Sequence, residues 1–369
     1  MIAIDASRAN LDQKTGTEYY SAELLKSLAK IDHDSPYHLY VQGKGWVTEK
    51  EWPTNFKVQI IESPFLWTQF RLALEISRVK PEILFVPAHV MPWIHPKKTL
   101  ITIHDVGYEH YPQSYSKFAL WYLKRTTKNM VKKAEQIIVP SESTKKDLVS
   151  MYGCDGKKVN VIYHGYNSDL YRKIDNETKI GLTKKKYGLD ENENYLFFVG
   201  RLEERKNILG MIKAFYKVKS QTNFDYKFVI AGKPGVGYEK IQKLVKDLMI
   251  ENDVKFLGYV QEEDLPFLLS GADIFLFPTF YEGFGLPILE AMSCGVPVIT
   301  SKTSSCPEVA GEAAILVNPD NTQEIAEGIV RILSDSRLRN TLVQQGFRQI
   351  EKFNWDKTAR KTLKVLQKM

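Results

Sequence analysis

The sequence predicts an α/β protein of two Rossmann-like domains with a cleft between them. Three observations carry that reading. Short apolar runs alternate with longer amphipathic segments through both halves of the chain, the pattern of a parallel sheet covered by helices. The alternation pauses once, over the polar, strand-poor stretch 165–194, and then restarts. The length of 369 residues suits two domains or three at about 100–200 residues each.

The first half opens on the strand-like run IAID and continues with HLYV, VQII, ILFV, LITIH, QIIV and NVIY. Helix-like segments separate most of these, among them Glu18–Lys30 (EYYSAELLKSLAK) and Lys117–Ala134 (KFALWYLKRTTKNMVKKA). The polar connection carries a short helix around Thr178–Tyr187. The second half then runs YLFFVG, KFVIAG, VKFLGYV, DIFLFP, VPVIT and AILVNP. Neither a short-period repeat nor a low-complexity tract interrupts the order.

Composition removes several function classes. A chain with 43% hydrophobic and 26% charged residues reads as soluble and globular. Cys154, Cys294 and Cys306 stand in no CxxC or Cys/His zinc spacing, which suits a reducing cytoplasm without a disulfide framework. The N-terminal MIAIDASRAN lacks a basic region followed by an apolar core, so no signal peptide is expected. No run approaches the roughly 18 consecutive apolar residues of a membrane span. The net charge of +7 permits anionic partners such as nucleotide diphosphates or lipid headgroups. No basic stripe with interleaved base-stacking aromatics matches a nucleic-acid module, so no nucleic-acid partner is expected.

Open α/β sheets bind ligands beyond the carboxyl ends of their strands, so the candidates are the residues that follow each apolar run. After YLFFV come Gly200 and Arg201, then LEERKN with Lys206. An arginine fork and a mobile lysine there suit a diphosphate; EERK is equally the composition of a solvated helix start. After DIFLF comes PTFYEGFGLPILEAMSCGVPVIT, with Glu282 and Glu290 eight residues apart. Pro287 suits the first turn of a helix running about Leu286–Ser293. Gly283 and Gly285 let backbone amides turn toward a ligand, and the helix start attracts phosphate. Two carboxylates beside an anion-binding helix end suit a sugar nucleotide. An isolated pair would more simply be a dipole complement and a surface residue. His104 and Asp105 follow LITI, and a histidine there is either a ligand group or a structural one. Gly16 precedes a helix after the first strand, which alone is a weak signal.

Other sites are not supported. No G-x-G-x-x-G with a following acidic residue is present, and GKPGVG (232–237) lacks the Lys-Ser/Thr of a P-loop. The Asp32-His33-Asp34 triplet reads as a solvated turn and not as a metal site.

Taken together, these segments resemble glycosyltransferase family 4 on a GT-B fold. FVGRLEERKN is similar to that family's Gly-Arg…Lys element, and PTFYEGFGLPILEAMSCGVPVIT to its E-x7-E element. SKTSSCPEVAGEAAILVNP continues in register, VPSESTKKDL and VIYHGYN match the end of the first domain, and FNWDKTARKTLKVLQ resembles a terminal helix crossing back onto that domain. The resemblance covers most of the chain. It implies an acceptor-side domain of 1–170 plus about 355–369 and a nucleotide-sugar-binding domain of 171–354. By the same resemblance, Arg201 and Lys206 bind the donor diphosphate, with Gly200 beside them. Glu282 holds the transferred sugar, and Glu290 the ribose hydroxyls. The amides of Phe284, Gly285 and Leu286 meet sugar and phosphate; the backbone at Val260 faces the base. His104 approaches the donor sugar, and Gly16 lets its loop pass close to the phosphates. One departure is Gly16-Thr17-Glu18-Tyr19, where many relatives place a second glycine and an arginine. It bears on the acceptor and the linkage.

The resemblance implies a retaining transferase that moves a sugar from a nucleotide-sugar donor to a glycan or lipid-linked acceptor in surface polysaccharide or glycoconjugate synthesis. The TSSCPEVAG flank is similar to bacterial mannosyltransferases, which makes GDP-mannose the first donor expected, ahead of UDP- and dTDP-sugars. No cofactor or metal is expected. The alternatives are a nucleotide-sugar epimerase or phosphorylase on the same fold, and a binding protein without activity. The location expected is cytoplasmic. Lys117–Gln136 carries six Lys/Arg, one Glu and Phe118, Trp121 and Tyr122, and reads either as a helix on the inner face of an anionic membrane or as a half-buried helix with a solvated basic face.

Overall fold

A computed structural model describes residues 1–11, 16–62, 67–88 and 90–369. The chain divides into two compact units, Met1–Gly165 with Phe353–Met369, and Tyr166–Lys352.

In the first unit the apolar runs form seven parallel strands: β1 (Ile2–Asp5), β2 (Tyr37–Val41), β3 (Phe56–Ile60), β4 (Ile83–Val86), β5 (Lys98–Thr102), β6 (Gln136–Val139) and β7 (Val159–Val161). Their order is β3-β2-β1-β4-β5-β6-β7. The central strands β1 and β4 are buried at every residue, because helices cover both faces of a parallel sheet. The helix Gly16–Ile31 covers one face with Tyr20, Leu24, Leu25 and Leu28. The last helix, Trp355–Lys368, packs against it and so returns the chain to the first unit. Asn354 caps that helix, Thr358 donates its hydroxyl to the Tyr163 carbonyl, and Lys30 pairs with Asp356 at 2.9 Å. Asp32 is a turn residue as expected but is buried rather than solvated: it accepts from the Tyr37 hydroxyl and from the amides of Asp34 and Ser35.

The second unit repeats the plan with β8 (Tyr195–Val199), β9 (Lys227–Ala231), β10 (Val254–Gly258), β11 (Ile274–Phe277), β12 (Val298–Ser301) and β13 (Ala314–Val317), in the order β10-β9-β8-β11-β12-β13. Between 165 and 195 the described structure holds no strand, only the helix Glu177–Lys186. Both sheets thus have the doubly wound order, in which the direction of winding reverses beside the first strand. In the second unit that reversal lies between β8 and β11, where the connections leave toward opposite faces and open a crevice. Phe197, Phe198, Phe275 and Phe277 fill the sheet around it.

Candidate active site

The loops after β8 and β11 meet at the crevice. After Val199 the chain passes Gly200 and Arg201, and Leu202 forms a parallel bridge with Pro234. Gly200 lies against Gly232, where an added Cβ would sit 1.8 Å from the Gly200 carbonyl oxygen, so only glycine fits at 232. A single 3₁₀ turn, Glu204–Lys206, then ends on Asn207. The Asn207 amide donates to the carbonyls of Pro278 (2.9 Å) and Pro319 (2.8 Å), which ties the β8 loop to the ends of β11 and β13.

That turn aims its cations at Glu282. The Lys206 ammonium reaches Glu282 Oε1 at 2.6 Å. Arg205 donates to the Tyr281 carbonyl at 2.9 Å and to Glu282 Oε2 at 3.4 Å, while its other side pairs with Glu203 at 3.0 Å. Burial alone would push the Glu282 carboxyl up; the Lys206 and Arg205 charges together outweigh it and hold the group below the usual carboxylate range. Burial acts on Lys206 in the opposite sense and lowers it, with Glu282 only partly restoring it. The Glu282 backbone is fixed as well. Its N–H donates to Ser304 Oγ at 3.1 Å, and its carbonyl accepts from Ser304 Oγ (2.5 Å) and Ser305 Oγ (2.9 Å).

The helix Leu286–Ser293 starts and ends where the sequence placed it. Gly285 caps it at φ 96, a left-handed conformation that L side chains avoid. Pro287 occupies the first turn. The first amides of such a helix have no partner within it and present a positive dipole end. Glu290, four residues in, is partly buried. Burial first, and then the Glu262 carboxylate, pushes its carboxyl up to about 8. Phe284 and Val260 are buried in the same unit.

The expected residues therefore divide. Lys206 and Glu282 come into contact, and Gly285 and Leu286 stand at the helix start. Arg201 points outward with 67% of its side chain exposed, and its nearest carboxylate is Glu203 at 3.8 Å. His104 and Gly16 belong to the first unit. The Pro87 carbonyl can only accept, so His104 donates from Nε2 at 2.9 Å and keeps Nδ1 as its acceptor. Burial holds the ring below its ordinary pKa, against the pull of Pro87, Asp105 and Glu18. Tyr20 packs edge-on against it at 4.8 Å. Gly16 begins the helix Gly16–Ile31 with open space around it, and residues 12–15 of its loop lie outside the described residues. Sequence reasoning missed Arg205, Asn207, Ser304 and Ser305. Their signal was present in LEERKN and in the SKTSSC flank, but nothing local in those segments says which side chains turn inward.

Comparison with known proteins decides the family. The model described as "Glycosyltransferase Family 4" matches residues 14–170, and "Glycosyl transferases group 1" matches 180–349. The O-antigen chain mannosyltransferase B of Escherichia coli is 30% identical over 82% of this chain and 79% of its own length. The chain belongs to glycosyltransferase family 4. A further relative in the family is the O-antigen chain mannosyltransferase RfbU of Salmonella typhimurium strain LT2, 28% identical over 78% of this chain and 76% of its own length. The crystal structure of Anabaena Alr3699/HepE in complex with UDP and glucose covers 100% of this chain and 99% of its own with a TM-score of 0.74 at 18% identity, a likeness of fold. The fold is GT-B, and the chain is a glycosyltransferase.

Proposed function

We propose that this glycosyltransferase moves a mannosyl residue from GDP-mannose to a glycan or lipid-linked acceptor in surface polysaccharide synthesis, with retention of configuration. The observation that carries the chemistry is Glu282 held by Lys206 and Arg205 beside the start of the helix Leu286–Ser293. The choice of sugar is supported by the O-antigen mannosyltransferase names of the relatives.

In this reading Glu282 accepts hydrogen bonds from hydroxyls of the donor sugar, and Glu290 from those of the ribose. The bond between the sugar C1 and the phosphate oxygen breaks with both electrons going to the diphosphate. Lys206 and Arg201 stabilise the charge that develops there, as do the first amides of the helix; Arg205 keeps Glu282 in place. The acceptor hydroxyl attacks C1 from the face the diphosphate leaves, and its proton passes to the leaving phosphate oxygen. Neither carboxylate forms a bond to the sugar. His104 Nδ1 is available to accept from a donor hydroxyl.

A thermal-shift screen of GDP-, UDP-, ADP- and dTDP-sugars tests the donor, because a ligand at about 100 times its Kd stabilises the fold by about 2.7 kcal/mol. The largest shift is expected with GDP-mannose, followed by an α-linked mannoside when an acceptor is added. A shift with UDP-glucose alone would overturn the donor assignment. Conversion of the donor without any acceptor would mark an epimerase instead. Glu282→Ala should lower turnover chiefly, and Glu290→Ala nucleotide affinity; identical defects would remove the division between them.

A further inference from the structure

The second unit holds a cavity of about 330 Å³ beside the turn that carries Lys206. That volume falls within the roughly 300–1,000 Å³ of small-molecule sites. The cavity lies at the starts of three helices, Ile208–Gln221, Tyr238–Asp247 and Thr322–Ser334. Part of its lining is apolar: Ile208 and Ile241 are buried, Phe280 is partly buried, and Val236 is exposed at 57%. Two glycines leave it room. A Cβ at Gly210 would stand 2.3 Å from Asn207 Oδ1, and Gly237 takes φ 87, a conformation that L side chains avoid.

The same lining supports the catalytic pair. Glu204 begins the 3₁₀ turn that ends in Lys206, and Asn207 follows that turn. Asn207 is held by the carbonyl of Pro319, which also lines the cavity, at 2.8 Å. The Phe280 amide donates to the Arg205 carbonyl at 3.0 Å, two residues before Glu282. Four exposed charges surround this space: Glu204 and Asp320, Lys213 and Lys240. Among the described residues, none of the four forms an ion pair. Glu203 differs, since Arg205 at 3.0 Å and Arg201 at 3.8 Å take up its charge.

We propose that this cavity is a second carbohydrate site, apart from the donor site, that takes a neutral hexose unit. Charge selects the occupant. A phosphate would face Glu204 and Asp320, and a cation would face Lys213 and Lys240. A polyol suits both pairs, because each hydroxyl donates to a carboxylate or accepts from an ammonium. The ring carbons would lie on Phe280, Pro319 and Val236. The same chemistry serves a free sugar or one unit of a glycan chain. An occupant in contact with Phe280, Pro319 and Glu204 also braces the turn that aims Lys206 at Glu282. The inference uses the second unit alone and stands whichever donor the enzyme takes.

Amide hydrogen exchange of the full chain tests it, with mannose, glucose, α-mannotriose, maltotriose and glucose 6-phosphate as probes. A neutral sugar should slow exchange at 203–210, 236–241 and 320–322. Protection by a monosaccharide identifies a free sugar as the occupant; protection by a trisaccharide only identifies a chain unit. Glucose 6-phosphate should bind more weakly than glucose. Asp320→Asn should weaken the neutral sugar roughly tenfold, the loss of a hydrogen bond to a charged group. Val236→Trp, at an exposed position on the lining, should fill the space and abolish the protection. Both variants should keep the thermal shift given by the donor, which reports an intact fold and an intact donor site. Exchange unchanged by every neutral sugar would overturn the proposal. So would protection by glucose 6-phosphate alone, or protection that survives Val236→Trp.

Discussion

The carboxyl of Glu290 should make this protein lose stability as pH rises, and Glu290→Gln should remove that loss. Burial and the Glu262 charge lift the group from 4.5 to about 8 in the folded chain. The folded protein therefore keeps this proton up to about pH 8, while the unfolded chain releases it near 4.5. Raising the pH between those values favours the unfolded chain by about 1.4 kcal/mol per pH unit. Over the whole interval that amounts to an upper figure on the order of 5 kcal/mol, which partial solvent contact reduces to a few kcal/mol. Below the interval the two proteins should agree within about 1 kcal/mol; above it the glutamine variant should be the more stable by a few kcal/mol. Urea unfolding followed by far-ultraviolet circular dichroism is the assay. Circular dichroism reports both units, whereas all six tryptophans, Trp46, Trp52, Trp67, Trp93, Trp121 and Trp355, lie in the first unit. Donor binding should show the same group. If the ionised carboxylate accepts the ribose hydroxyls, affinity should rise about tenfold from pH 7 to pH 9 in the parent and stay level in the variant. Stability profiles that superimpose across the interval would refute the burial argument, and with it the reading of Glu290 as a residue kept for function at a cost in stability.

Three further outcomes follow from the same loops. Lys206→Ala should reduce turnover by on the order of 10²–10³, and also destabilise the second unit by roughly 3–5 kcal/mol, because it leaves the buried Glu282 without its nearest cation; kinetics and urea unfolding read the two separately. Arg201→Ala should show a rate loss of similar order, about 10²–10³, with unchanged stability, since its side chain lies in solvent; near-normal turnover in both variants would end the diphosphate role. Transfer should survive EDTA, and activity lost to the chelator and restored by Mn²⁺ or Mg²⁺ would overturn the metal-free mechanism.

Much of this was legible before any coordinates. The strand runs were local, because a buried parallel strand needs an unbroken apolar stretch. The helix Leu286–Ser293 was local too, because glycine, proline and an apolar repeat define its start. The family was readable from the block around Glu282 and Glu290. The pairing of Arg205 and Lys206 with Glu282 was not, since it joins segments 76 and 77 residues apart. EERK has the same composition whether it faces water or a carboxylate, and only the 3₁₀ turn and the Asn207 anchor choose between them. Ser304 and Ser305 were hidden for the same reason: their hydroxyls act on a loop 21 to 23 residues earlier.

The sequence by itself determined the α/β class, the repeated plan and the family, because those rest on apolar periodicity and on motifs contiguous in the chain. The tertiary structure alone decided the strand orders, the partners of Glu282, the raised carboxyl of Glu290 and the exposure of Phe118 and Trp121. Each of these depends on which distant segments come to lie side by side. Burial and charge are properties of that arrangement, and a run of residues does not carry them.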